Sequence, residues 1–295
     1  MKINIIFTRQ FLLIAFILIC SQHDIYSQES DSVRVKGPGL FVGFSFGPSQ
    51  TQITNEGTYS GSELQSTKQT SFSGSAEVGY YFTKYFGLSS GIGFNSYKSQ
   101  FALKAYQNNY SAIDSENESY EHRVTGTNIN EEQKIGLLSV PIYLNIHLPL
   151  SKAMGFFFQT GVDLAIPLSK KYTSSGIFTY KGYYPATNAL LENLPAYGFP
   201  TNYSTVANGD LELNSLNVSV VASAGFDYLI QKNIQIGVAA SYSKSLSNIS
   251  AYTSPETFHL SSEVDQINSF MGGSSKASLQ SIGVKFSLRY YLKSR

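Results

Sequence analysis

Between Ser281 and Leu292 the chain alternates for twelve residues without a break. Ile282, Val284, Phe286, Leu288, Tyr290 and Leu292 fall on one face, and Ser281, Gly283, Lys285, Ser287, Arg289 and Tyr291 on the other. A period of two is the mark of a strand with two unlike faces. Its length is the constraint: strands of globular proteins run to about 5–6 residues, whereas a tilted strand that crosses a bilayer needs about 9–11.

The same pattern returns seven times upstream. Its apolar faces are Leu40, Val42, Phe44, Phe46; Phe72, Ala76, Val78, Tyr80, Phe82; Phe86, Leu88, Ile92, Phe94; Leu138, Val140, Ile142, Leu144, Ile146; Phe156, Phe158, Val162, Leu164, Ile166; Leu216, Val218, Val220, Ala222, Ala224, Phe226, Tyr228; and Ile234, Ile236, Val238, Ala240, Tyr242. Eight strands are expected. The connections between them alternate in length. Three are short, at Thr83 to Tyr85, Pro149 to Met154 and Gln231 to Asn233. Four are long, near Thr54 to Ser71, Gln100 to Gln133, Ser169 to Asn214 and Leu246 to Lys276. Structureless loops of that length argue against a compact soluble domain. Short periplasmic turns and long extracellular loops are the habit of outer-membrane barrels, and an even strand number puts both ends of the sheet on the periplasmic side.

A soluble barrel alternates too, so the two faces must be compared. One is almost wholly Leu, Ile, Val, Phe and Tyr. The other collects Gly43, Gly47, Gly79, Gly87, Gly91, Gly93, Gly161, Gly225, Gly237 and Gly283 with Ser, Asn and charges. A soluble barrel gains nothing from glycines on its outer face, where they weaken the sheet. A narrow bore does need small polar side chains inside and apolar ones outside, and closure satisfies every strand edge in hydrocarbon. The reading is therefore all-β: an eight-stranded antiparallel up-and-down transmembrane β-barrel over residues 40–292. Tyr80, Tyr81, Phe82, Tyr85, Phe86, Tyr228, Tyr290 and Tyr291 stand near strand ends as a periplasmic aromatic girdle. Composition agrees: 14% of residues are charged against roughly 25% in ordinary soluble domains.

Residues 1–27 read as a signal peptide, with Lys2 and Arg9 before the apolar run Phe11–Cys20 and a polar stretch ending in Ser27. Ten apolar residues are too few for a membrane-spanning helix, and bulky Ile19 before Cys20 argues against lipid attachment there. Residues 28–39 form a periplasmic leader. Beyond residue 27 the chain has no cysteine and balances 19 basic against 19 acidic residues (21 − 2 and 20 − 1). It therefore has no disulfide, and no basic excess to attract nucleic acid.

The run Gly79-Tyr-Tyr-Phe-Thr-Lys-Tyr-Phe-Gly-Leu88, the stretch Leu138-Ser-Val-Pro-Ile-Tyr-Leu144 and Gln159-Thr-Gly-Val-Asp-Leu164 resemble the PorT-type outer-membrane β-barrel family of Bacteroidota. The resemblance spans about residues 40 to 292. It implies the barrel fold and an outer-membrane location, and the best-known member serves protein secretion.

Five charges face the expected bore: Glu77, Asp163, Asp227, Lys285 and Arg289. Counting from the periplasmic strand ends puts Arg289 level with Asp227, and Lys285 within reach of Glu77 and Asp163. An internal ion-pair network that plugs the barrel is the expectation, because an unpartnered buried charge is costly; separately hydrated charges are the alternative. No catalytic, cofactor or metal site is expected. His122 and His259 fall in long connections, His147 stands alone near the periplasmic rim, and no two histidines have ligand spacing. The third long connection is rich in Tyr172, Tyr180, Tyr183, Tyr184, Tyr197 and Tyr203 with three prolines, a composition suited to recognition. The function expected is structural or interactive: a monomeric barrel held by membrane lipid, inserted by the outer-membrane assembly machinery, contacting a protein or glycan through its loops, and serving as an accessory to secretion. A small-solute pore is the alternative, and a membrane-embedded hydrolase the third reading.

Overall fold

In the computed structural model, the alternation that begins at Ser281 belongs to a strand of sixteen residues, Lys276–Tyr291. The structure describes residues 39–57, 59, 63–252 and 258–292. The signal peptide and the leader up to residue 38 lie outside the described residues. The strands are β1 (Gly39–Glu56), β2 (Gln65–Tyr81), β3 (Phe86–Ile113), β4 (Ser119–Pro149), β5 (Met154–Tyr184), β6 (Ala189–Leu191), β7 (Tyr203–Asp210), β8 (Asn217–Gln231), β9 (Ile234–Ser245) and β10 (Lys276–Tyr291). Eight of them close an antiparallel ring, β1-β2-β3-β4-β5-β8-β9-β10, sealed where β10 pairs with β1 from Phe41↔Tyr291 to Glu56↔Lys276. β6 and β7 pair only with the upper part of β5, outside the ring.

Two of the short connections are tight turns closed by side chains. Thr83 Oγ1 accepts from the Phe86 amide at 2.9 Å, and Ser151 Oγ from the Met154 amide at 3.0 Å. In the lower half of the ring the apolar face points out: Phe46 is 66% exposed and Ile92 63%. Such exposure suits hydrocarbon as the surrounding solvent. The girdle needs one correction. Tyr80, Phe82, Tyr85, Phe86, Tyr228 and Tyr290 are exposed, but Tyr81 is buried and stacks on Tyr291 inside the bore at 6.3 Å. Both stand at odd, inward positions of their strands.

The long connections are largely strand. β3 and β4 run on as one hairpin to a turn at 114–118, where Asp114 Oδ1 accepts from the Glu116 and Glu118 amides at 2.9 Å each. In this upper half the polarity inverts. Phe101, Leu103, Val124, Ile129, Phe178 and Tyr180 point inward and form the apolar core, while Lys104, Thr125 and Lys171 face out. Register shifts accompany the change: Leu168 is an extra residue on β5 opposite Gly136/Leu137, and a second shift lies between Thr127 and Asn130, where Asn128 has a positive φ of 52°. Each bulge switches which parity faces inward. The last connection then enters the mouth, and Phe270–Gly273 form a short 3-10 turn buried among the walls. This segment completes the upper core.

Candidate functional site

The bore is built at inward positions where glycine leaves room for larger neighbours. A Cβ on Gly79 would stand 2.3 Å from Phe41 Cζ, and one on Gly155 2.2 Å from His147 Nε2. Into that space five strands project one connected polar belt. Lys285 Nζ (β10) donates to Gln159 Oε1 (β5) at 2.6 Å and lies 3.6 Å from Glu77 Oε1 (β2). Gln159 Nε2 donates to Glu77 Oε2 at 3.2 Å and to Asn145 Oδ1 (β4) at 3.0 Å. Ser89 Oγ (β3) donates to Glu77 Oε2 at 3.3 Å and accepts from Asn145 Nδ2 at 2.9 Å. Arg289 Nη2 donates to Asn145 Oδ1 at 3.3 Å, and its guanidinium lies 5.1 Å from the Phe41 ring and 5.4 Å from the Phe157 ring.

Of the five charges expected in the bore, Glu77 and Lys285 form a direct pair, and Arg289 joins them through Asn145 and Gln159. Asp163 and Asp227 make no ion pair with either cation among the described residues. Asp163 Oδ1 accepts from Tyr143 OH at 2.6 Å, and Asp227 Oδ1 is 3.2 Å from His147 Nε2. The register explains the second case: Asp227 stands across Gly237 from Ser287, two residues short of Arg289. Gln159, Asn145 and Ser89 escaped the sequence reading because only formal charges were weighed there. Their inward parity was the available signal. A small cavity adjoins the belt, lined by Ser45, Ser75, Asn95, Ser139, Ser223 and Ser243 among others. Tyr97 OH reaches to 3.3 Å from Ser243 Oγ, from one wall to another.

The mouth is closed by the last connection. Glu131 on β4 is buried and accepts from Ser174 Oγ and Ser269 Oγ at 2.6 Å each, from Gln133 Nε2 at 2.6 Å and from the Phe270 amide at 3.0 Å. Burial raises its carboxyl above the usual carboxylate range despite these donors. Tyrosine hydroxyls hold the rest of the segment: Tyr172 OH donates to Ile267 O at 3.1 Å, Tyr110 OH to Ser262 O at 3.2 Å, and Tyr59 OH to Phe270 O. His259 stacks on Tyr110 with centroids 4.0 Å apart, and Tyr110 OH lies 2.9 Å from His122 Nδ1. Burial lowers both imidazoles below their ordinary value.

The six tyrosines of the third connection divide accordingly. Tyr180 is fully buried, 2.6 Å from Ser261 Oγ, so it is not a surface contact residue: the Leu168 bulge turns it inward. Tyr172 likewise serves the closing segment. Tyr183 lies under Arg123 at 4.5 Å, and Tyr184 stacks on Tyr120 at 5.3 Å. Tyr203 is 36% and Tyr197 74% exposed. Tyr197 stands at the tip of a turn closed by Leu194 N→Phe199 O at 2.8 Å and Phe199 N→Leu194 O at 3.1 Å. Gly198 there adopts φ +82°, the left-handed conformation that glycine reaches without cost, and buried Phe199 anchors the turn against Tyr120 and His122.

Comparison with solved structures finds OprG of Pseudomonas aeruginosa at 13% identity and TM-score 0.41, covering 88% of this chain and 98% of that one. Ail of Yersinia pestis is 12% identical with TM-score 0.29, over 85% and 99%. Neisserial surface protein A is 10% identical with TM-score 0.35, over 87% and 100%. No curated protein matches the sequence. The family described as outer membrane protein beta-barrel domain matches residues 26–251, well over half of the chain. With its closed eight-stranded ring and outward apolar band, the chain belongs to this outer-membrane β-barrel family.

Proposed function

We infer that this outer-membrane barrel works by interaction: the membrane half is an anchor with a plugged bore, and the third extracellular segment carries the contact. The observation behind this reading is the Leu194–Phe199 turn, which presents Tyr197 at 74% exposure on a backbone fixed by two cross-turn hydrogen bonds. An aromatic side chain ordered before contact loses little entropy on binding. The Glu77–Gln159–Lys285 belt, with Asn145 and Arg289, is the plug, and its hydrogen bonds support that part of the reading. The PorT-type resemblance adds an accessory role in secretion, with a protein as the partner.

A pull-down from outer membranes in mild detergent tests both parts. The wild type is expected to recover a stoichiometric secretion component, and Tyr197→Ser to lose it at least about tenfold, the cost of one central aromatic contact, with unchanged heat-modifiable migration. Recovery that is indifferent to Tyr197 contradicts the contact, and recovery of the barrel alone contradicts the accessory role. The serine-lined cavity favours a second reading, a small-solute pore; steady conductance of the wild type would support it instead.

A further inference from the structure

The outward face of β3, β4 and β5 carries an arrangement that a sheet does not favour by itself. Lys98 is the cross-strand partner of Lys134, and Lys134 of Lys171. Each points outward. Tyr97 and Ser99 flank Lys98 in the interior, Gln133 and Ile135 flank Lys134 there, and Tyr172 beside Lys171 turns inward to the closing segment. Like charges directly opposite one another destabilise a sheet. Two carboxylates relieve the row in part, Glu132 at 2.9 Å from Lys134 and Asp210 at 2.7 Å from Lys171. Lys98 makes no ion pair among the described residues, so one positive charge is left over.

The rows beneath define what belongs there. Directly below the lysines, Ser96 pairs with Gly136 and Gly136 with Ser169; below these, Phe94 pairs with Leu138 and Leu138 with Ile166. Reading downward, three strands thus present a basic row, a small hydroxyl-bearing row and an apolar row. Gly136 keeps the middle row small. A Cβ there would stand 3.4 Å from two carbons of the Phe94 ring, which leans up over the glycine. From Phe94 to Lys98 is four residues, about 13 Å along the strand and about 10 Å in height at a tilt of ~40°. The lysines therefore rise just above the apolar band, at the level of the outer-leaflet headgroups.

We propose that Lys98, Lys134 and Lys171, with Ser96 and Ser169 beneath them, bind the phosphate of an outer-leaflet lipid whose apolar part lies against Phe94, Leu138 and Ile166. A phosphate between the ammonium groups converts their repulsion into attraction, the serine hydroxyls donate to its remaining oxygens, and the apolar row below favours an occupant with an acyl part over a freely soluble anion.

The test uses the full chain in a neutral detergent, with bound lipid measured by native mass spectrometry. The ligands offered are a diacyl lipid with a phosphate monoester headgroup, the same diacylglycerol without phosphate, and inorganic phosphate. The wild type is expected to retain the phosphorylated lipid and not the diacylglycerol. K98Q/K134Q/K171Q is expected to lose it at least tenfold, while K84Q/K152Q/K232Q, which removes the same charge from the periplasmic turns, leaves it unchanged. Lys98→Gln alone leaves both existing ion pairs in place, and it is expected to weaken retention about fivefold, the worth of one lysine near an anionic surface. Equal retention by all variants, or equal loss from both triple variants, overturns the site. Displacement of the lipid by inorganic phosphate at equal concentration also overturns it, assigning the row to a soluble anion.

Discussion

At the scale of single residues, two buried carboxylates behave differently because their partners differ. Glu77 faces an ammonium, so Glu77→Ala leaves Lys285 buried without its counter-charge and is expected to cost about 3–5 kcal/mol. Replacing both, as Glu77→Leu with Lys285→Met, is expected to recover most of that loss; urea unfolding in lipid vesicles measures both variants. A double variant as unstable as the single one would show that the pair is not what stabilises this level of the bore. Glu131 faces only neutral donors. Glu131→Ala leaves two serine hydroxyls and the Phe270 amide without an acceptor, while Gln133 Nε2 keeps Ser269 Oγ at 3.2 Å, at about 1–3 kcal/mol. The expected readout is proteolytic cleavage within 258–275 of a barrel whose migration still depends on heating. Burial raises the Glu131 carboxyl, so its favourable contribution is complete below the ordinary value of 4.5 and declines as pH rises through the raised one.

At the scale of elements, the closing segment depends on histidines that must stay neutral. Burial lowers His122 and His259 below the ordinary value of 6.5. The unfolded segment therefore binds protons more readily than the folded one. The contribution of the two histidines to its stability is complete above pH 6.5 and falls as pH drops through that value towards the lowered ones. The protection factors of the amides in residues 258–275, corrected for the intrinsic pH dependence of exchange, are expected to fall between pH 7.5 and 5, and His122→Gln with His259→Gln is expected to remove that fall; an unaltered profile in the double variant would count against the imidazoles.

The elements also show how far the sequence could be read. The eight crossing segments, their facing and the three short turns were legible because apolar-out, small-polar-in alternation is unambiguous in hydrocarbon. It ceased to be legible above Gln100, Gln133 and Ser169, where the outward residues become polar as in any water-facing sheet. The strands continue there, but the Leu168 bulge switches the inward parity of β5, so Tyr180 and Tyr172 read as surface tyrosines and fold inward, Tyr180 in the core and Tyr172 packed against it. Within the bore, charge alone identified Glu77 and Lys285, whereas Gln159 and Asn145, the amides that connect them to Arg289, carry no formal charge to mark them.

At the scale of the whole ring, the lower half is apolar outside and polar within, and the upper half is the reverse. On the proposed reading, the lower belt and the upper closing segment each obstruct the same passage. Conductance of the purified protein in planar bilayers tests this most directly. The wild type is predicted to be electrically silent, and a variant lacking residues 258–274 that keeps heat-modifiable migration is predicted to remain silent, because the belt persists. Combining that deletion with Glu77→Ala, Gln159→Ala and Lys285→Ala is predicted to open steady conductance. Steady conductance in the wild type would contradict the account.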